Sequence, residues 1–216
     1  MHSRFLILVG LGLAAAGLYF IVIAGPRSIR TNETPVPMVN QVSPHESSGT
    51  EKSDADERDR LIDARRALRA PDLAVGTWIN SEPLTVEGLR GRVVLVDFWT
   101  FGCYNCRNTL PALKRFHERY SQQGLTIIGV HSPEFEREKE IENVRREVRA
   151  LGISYPVLTD NDYNSWRAFG VEAWPTVVIL DKQGRIRWTH IGEGLYDEQE
   201  GVIRKLLAED ADQPGG

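Results

Sequence analysis

The sequence predicts an α/β domain with a mixed central sheet flanked by helices. Between Val93 and Leu158 three strand-like apolar runs alternate with two helix-like stretches, the order that builds parallel strands through crossover helices. Thr176 to Ile191 then reads as a hairpin turning at Asp181-Lys182-Gln183-Gly184, which adds antiparallel strands to the sheet. A chain of 216 residues with 41% hydrophobic content has room for one substantial core and an appendage.

The appendage comes first. Phe5 to Ala24 is uninterrupted and apolar, about the length that crosses a bilayer as a helix. Residues 1–24 are therefore expected to form an N-terminal transmembrane anchor. A cleaved signal peptide ending at Val22-Ile23-Ala24 is the rival, but its hydrophobic region should be shorter. Arg4 faces Arg27 and Arg30 across this segment, so flanking charge leaves the orientation nearly balanced. A single N-terminal anchor ahead of a large domain usually exports that domain. The expectation is a single-pass protein of the cell (inner) membrane with its domain on the periplasmic or extracellular side.

Residues 25–69 read as a tether. Up to about Thr50 the stretch is too poor in large apolar residues to build a core. From Glu51 to Arg69 it is dense in both charges, a spacer or a solvated helix ending before Pro71. The domain is expected over 70–210, with 211–216 a flexible tail. Thr77 to Thr85 reads as a small hairpin, Val93 to Phe98 as the central buried strand, and Cys103 to Gln122 as a helix stopped by Gly124 and kinked by Pro111. Thr126 to Val130 and Tyr155 to Leu158 follow as strands on either side of a charged helix, Glu138 to Leu151. Asn164 to Phe169 is a helical turn, Thr176 to Leu180 and Ile186 to Ile191 are strands, and Asp197 to Ala208 closes as a helix.

Both cysteines of the chain lie in Cys103-Tyr104-Asn105-Cys106, directly after the central strand. A strand delivering a thiol to a helix start places it against unpaired N–H groups and the positive end of the backbone dipole, which stabilises a thiolate. Two intervening residues let the second thiol close a small disulfide with the first, as a reversible two-electron couple requires. Cys103 is then the attacking nucleophile and Cys106 the resolving thiol. Three other readings compete. A structural bridge gains little from so short a loop. Zinc lacks its remaining ligands, so no metal is expected. A Cu(I) chaperone would combine the two thiols with a histidine, His131 being the candidate. No cofactor beyond the Cys103–Cys106 pair is expected.

Asp97 interrupts an otherwise apolar strand. An ionised carboxylate is costly there, so a raised pKa is expected, suited to accepting the Cys106 proton. Trp99, Phe101, Tyr104 and Trp174 can form an aromatic apron that binds a partner's extended segment, though Trp99 reads equally well as core. His131, Glu172 and Glu193 read more simply as structural or solvated groups. Thr100-Phe101-Gly102-Cys103 contains half of a peroxidatic motif without its proline. A peroxidase is therefore a further alternative. The net charge of −4, with no long basic patch, argues against nucleic acid as a partner.

Val96-Asp97-Phe98-Trp99 followed by Cys103-Tyr104-Asn105-Cys106, with Trp174-Pro175-Thr176, resembles the thioredoxin fold: its active-site strand and its cis-proline loop. The likeness covers about residues 70–210. Gly91 to Val96 and the extra helix and strand between Glu138 and Leu158 resemble the membrane-anchored TlpA/ResA branch. Phe98 to Cys106 together with Gly129-Val130-His131-Ser132-Pro133-Glu134-Phe135 is most similar to the thioredoxin-like domain of DipZ-type proteins, where it follows a multispanning electron carrier. The resemblance implies a thiol–disulfide oxidoreductase acting on protein disulfides or dithiols, cytochrome c maturation among its processes, with electrons supplied by a membrane donor. It implies a cis bond before Pro175, a Trp174 backbone that pairs with bound peptide, and a buried acid at Asp97. Tyr104-Asn105 is neither the Gly-Pro of reductants nor the Pro-His of oxidants, and dipeptides at this place tune the couple over roughly −270 to −120 mV.

Overall fold

The computed structural model describes residues 60–210. The expected anchor at Phe5 to Ala24, residues 25–59 of the tether and the tail 211–216 lie outside them. Among the described residues no helix is long and apolar enough to cross a membrane.

Six strands form one sheet: β1 (Trp78–Ile79), β2 (Val93–Trp99), β3 (Leu125–His131), β4 (Val157–Thr159), β5 (Thr176–Leu180) and β6 (Ile186–Ile191), in the order β1-β4-β3-β2-β5-β6. β2, β3 and β4 run parallel, while β1, β5 and β6 join antiparallel. The helices are α1 (Tyr104–Tyr120), α2 (Ile141–Ala150), α3 (Asn164–Ala168) and α4 (Tyr196–Ala208). The parallel strands need crossovers, which α1 and α2 supply, and the turn at 181–184 needs only Gly184 with φ +70° to reverse the chain.

Period-2 alternation splits β2 between two cores. Val93, Leu95 and Trp99 join α1, α2 and α4 in one apolar cluster, and Val94, Val96 and Phe98 join Trp166, Phe169 and Val171 in the other. All seven β2 residues are buried, as a strand covered on both faces requires. The same alternation puts Asp97 on the α1 face.

Three expectations are corrected. Trp78 and Ile79 do not fold back on themselves as a hairpin; they pair with Leu158 and Val157 of β4, because Asn80 turns the chain at φ +67° and its amide caps the Ile153 and Tyr155 carbonyls. The charged helix starts at Ile141, and Glu138 instead ends a 3₁₀ turn with its side chain buried. Residues 60–69 hold no helix. Ile62 N–H donates to the Arg187 carbonyl at 2.8 Å and Arg69 bridges Arg185, so this part of the charged stretch lines the β6 edge, which would otherwise be open to other strands. Pro111 sits inside α1.

Candidate active site

β2 ends at Trp99, Thr100 to Gly102 form the turn, and Cys103 caps α1 in an extended conformation. Cys103 and Cys106 form a disulfide with Cα atoms 5.3 Å apart. Cys106 N–H donates to Cys103 Sγ at 3.1 Å, the place a serine or aspartate oxygen takes in an ordinary N-cap. No acidic residue occupies the first turn of α1, so nothing there offsets the positive helix end. Cys103 is partly exposed while Cys106 is buried, which leaves the first sulfur open to a partner and the second sheltered behind it.

Asp97 is 1% exposed, and desolvation raises its pKa from 3.8 to about 7. Its Oδ1 has no hydrogen-bond partner among the described residues. Across the sheet it faces Gly129, where a Cβ would lie 2.8 Å from Trp99 Nε1 and 3.4 Å from Tyr155 Cε2. The missing side chain makes room for the indole and the phenol beside the carboxyl. Tyr155 is buried in turn, and its pKa rises through desolvation first and the Asp97 charge second. Cys106 and Trp99 belong to the apolar cluster on this same face of β2.

The Trp174–Pro175 bond is cis, as the resemblance implied. Trp174 Nε1–H donates to the Ser132 carbonyl at 3.1 Å, and its ring lies 4.4 Å from that of Trp166. Pro175 offers its carbonyl to Gly192 N–H at 2.8 Å, which ties the loop to the end of β6. Of the expected apron, Tyr104 is 76% exposed and Trp174 partly so. Trp99 is fully buried and Phe101 nearly so. Trp99 is a core residue, because β2 is covered on both faces up to its last residue, and Phe101, in the turn that follows, packs against the same apolar cluster.

His131 is also core. It is buried between the Trp99 edge and the Phe101 ring, with Nε2 3.3 Å from Thr100 Oγ1 and 3.4 Å from the Phe101 nitrogen. Desolvation lowers its pKa to about 4, so at neutral pH it is uncharged. Among the described residues no group of three His, Cys, Asp or Glu side chains could hold a metal ion. Glu172 is exposed, and Glu193 accepts from Asn108 Nδ2 at 2.9 Å, pinning α1 to the loop after β6.

One site residue escaped the sequence. Glu138 is fully buried behind the active-site turn, and its Oε2 accepts from Thr100 Oγ1 at 2.6 Å, Glu134 N–H at 2.7 Å and Phe135 N–H at 3.2 Å. A Cβ at position 102 would run into its Oε1. Gly102 is thus required by the close approach of this carboxylate. Only the turn after Pro133 brings Glu138 there, and no local pattern marks it among the neighbouring surface glutamates.

Residues 91–186 match the family model described as thioredoxin-like. Over 142 residues the chain is 39% identical to protein DipZ of Mycobacterium tuberculosis, covering 64% of this chain and 20% of that protein; it thus spans about a fifth of that relative's length. It is 27% identical to thiol-disulfide oxidoreductase ResA of Halalkalibacterium halodurans, over 68% of this chain and 82% of that one. The crystal structure of a thiol-disulfide isomerase from Corynebacterium glutamicum superimposes with a TM-score of 0.58 at 26% identity, over 69% of this chain and all of that one. The matched residues run from the turn before β2 to the first residue of β6 and hold both cysteines, Asp97 and the cis-proline loop. Over residues 91–186 this chain is similar to the thioredoxin-like family.

Proposed function

We propose that the protein is a membrane-tethered thiol–disulfide oxidoreductase that reduces disulfides of exported proteins, apocytochrome c among them. The observation that carries the redox chemistry is the Cys103–Cys106 disulfide at the start of α1, with its outer sulfur partly exposed and its inner one buried. The relative named as a thiol-disulfide oxidoreductase supports the same chemistry. The tethering rests on the apolar stretch Phe5 to Ala24.

In the reduced protein, the Cys103 thiolate attacks one sulfur of the partner disulfide. A Cys103–partner bond forms, the partner's own bond breaks, and its second sulfur leaves as thiolate. Cys106 loses its proton to Asp97, whose burial keeps the carboxyl near neutrality in affinity. The Cys106 thiolate then displaces the partner from Cys103, closing the Cys103–Cys106 disulfide. Two electrons have moved to the partner, and a membrane dithiol donor restores the pair. The Trp174 backbone beside cis-Pro175 pairs with the partner segment as an added strand, and Tyr104 supplies an exposed aromatic contact next to the sulfur.

The test is turnover by the full-length protein of a disulfide-bonded protein substrate with dithiothreitol as donor. Wild type should reduce the substrate catalytically and Cys103→Ser should not. Equal rates for the two would contradict the reading, and stoichiometric Cu(I) uptake without turnover would point to a chaperone.

A further inference from the structure

A cavity of about 270 Å³ opens beside the active-site turn, with Phe101 and Gly102 on one side and residues of α1 and α2 on the others. Three arginines line it: Arg107, Arg137 and Arg146. Arg107 is in the first turn of α1, where its N–H donates to the Cys103 carbonyl at 3.3 Å, so one wall is within a helical turn of the nucleophile. Asn143 links the other two, its amide donating to the Arg137 carbonyl at 2.8 Å and its oxygen accepting from Arg146 at 2.9 Å. The Arg137 guanidinium also lies 5.8 Å from the Phe135 ring centre.

The charges do not cancel. Glu147 lines the same cavity and sits 3.7 Å from Arg146. Among the described residues Arg107 and Arg137 have no carboxylate within ion-pair distance. Glu138 beneath Gly102 directs Oε2 to Thr100, Glu134 and Phe135, and its Oε1 lies against the Gly102 wall on the Arg137 side, so three guanidinium groups stand against the two carboxylates of Glu138 and Glu147. In a chain of net charge −4, a pocket with an excess of guanidinium groups next to a reactive sulfur is a local reversal of sign. Guanidinium forks match planar carboxylates, and the positive α1 terminus adds to the same field.

We infer that this pocket is a subsite for a carboxylate carried by the disulfide substrate close to its reacting sulfur. The inference rests on the oxidoreductase reading and adds a substrate class to it: acidic disulfide partners over neutral ones. A carboxylate seated there holds the substrate sulfur beside Cys103 before exchange, raising kcat/KM without entering the electron transfer. An Asp or Glu side chain of a peptide and the carboxylate of a small thiol share this chemistry.

The test uses the full-length reduced protein and two disulfide peptides identical except for Glu or Gln on either side of the half-cystine. Wild type should prefer the Glu peptide by about two- to fivefold in kcat/KM, as exposed Arg–carboxylate pairs allow, and the preference should fade at 0.5 M salt. Arg137→Gln and Arg107→Gln should each shrink the ratio, whereas Arg149→Gln, exposed on α2 outside the cavity, should keep it. Oxidised glutathione against neutral hydroxyethyl disulfide separates the sources: a preference there alone assigns the carboxylate to a small thiol. Binding of the Glu peptide with serines in place of its cysteines, followed by shifts of the arginine Nε–H signals, reads the subsite without any redox step. Equal rates for both members of each pair, or a preference that survives both substitutions, overturn the subsite and leave the oxidoreductase standing. Absent turnover with intact serine-peptide binding would instead sink the oxidoreductase reading alone.

Discussion

Cys106 donates its backbone N–H to Cys103 Sγ at 3.1 Å. The bond makes the first sulfur the cap of α1, so negative charge on it is favoured by a direct donor as well as by the helix terminus. The reduced pair is thereby divided into an outer sulfur suited to attack and an inner sulfur whose proton must be taken away. Asp97 is buried in β2 with its pKa raised to about 7 by desolvation, and in the proposed mechanism it is the group that takes that proton.

Cys106→Ser should trap the substrate. With the outer sulfur intact and the resolving thiol gone, a disulfide peptide mixed with reduced protein should accumulate as a covalent adduct on Cys103, measured by mass spectrometry. Cys103→Ser should give none. An adduct on Cys106 would reverse the assignment.

Asp97 should make stability depend on pH in a defined direction. Its folded pKa, about 7, lies above the ordinary 3.8, so the unfolded chain loses this proton first and stability falls as pH rises from 3.8 to about 7. His131, held down at about 4 from 6.5, acts oppositely: stability rises with pH from 4 to 6.5. In wild type the two slopes largely cancel over that window. In Asp97→Asn the histidine slope should stand alone, and the variant should gain on wild type by on the order of 4 kcal/mol between pH 3.8 and 7.5. Urea midpoints across that range check it, and a difference independent of pH would contradict it. The same variant should lose an inflection near pH 7 in the rate at which Cys106 resolves a mixed disulfide.

Glu138 and Gly102 should couple. Glu138→Ala leaves the Thr100 hydroxyl and two backbone N–H groups without their acceptor, at a cost of about 1–3 kcal/mol or more. Gly102→Ala drives a methyl group into the same carboxylate, about 1–3 kcal/mol by overpacking. The double variant should be less destabilised than the sum, because removing the carboxylate also removes the clash. Additivity in urea unfolding would refute the contact.

Gly129→Ala should disturb the acid through its neighbours. The new methyl group meets Trp99 Nε1 at 2.8 Å, so the indole must move from the space beside Asp97. A loss of about 1–3 kcal/mol is expected, with a change in Trp99 fluorescence and a displaced pH inflection in the resolving step.

The strands, the helix carrying the cysteines and the buried acid were all legible in sequence, because period-2 and period-3.6 burial leave direct marks on residue type at Val93–Trp99 and along α1. Boundaries shifted where capping decided them, as at Glu138, whose burial depends on a turn made by Pro133 and Phe135 rather than on any periodicity. Trp78 and Ile79 pair with a strand about 80 residues away, a choice that local turn signals at Asn80 and Pro83 do not encode. The guanidinium pocket was invisible for the same reason: Arg107, Arg137 and Arg146 meet only when α2 docks against the turn before α1.

The reduction potential of the Cys103–Cys106 pair tests the central claim most directly. The full-length protein, equilibrated with glutathione or dithiothreitol buffers and trapped with a thiol reagent at each ratio, should show one reversible two-electron transition near the thioredoxin value of about −270 mV, whereas one near −120 mV would make it an oxidant and contradict the reductase reading. A pair that stays oxidised to below about −300 mV, as structural disulfides do, or one that never converts reversibly, would contradict it.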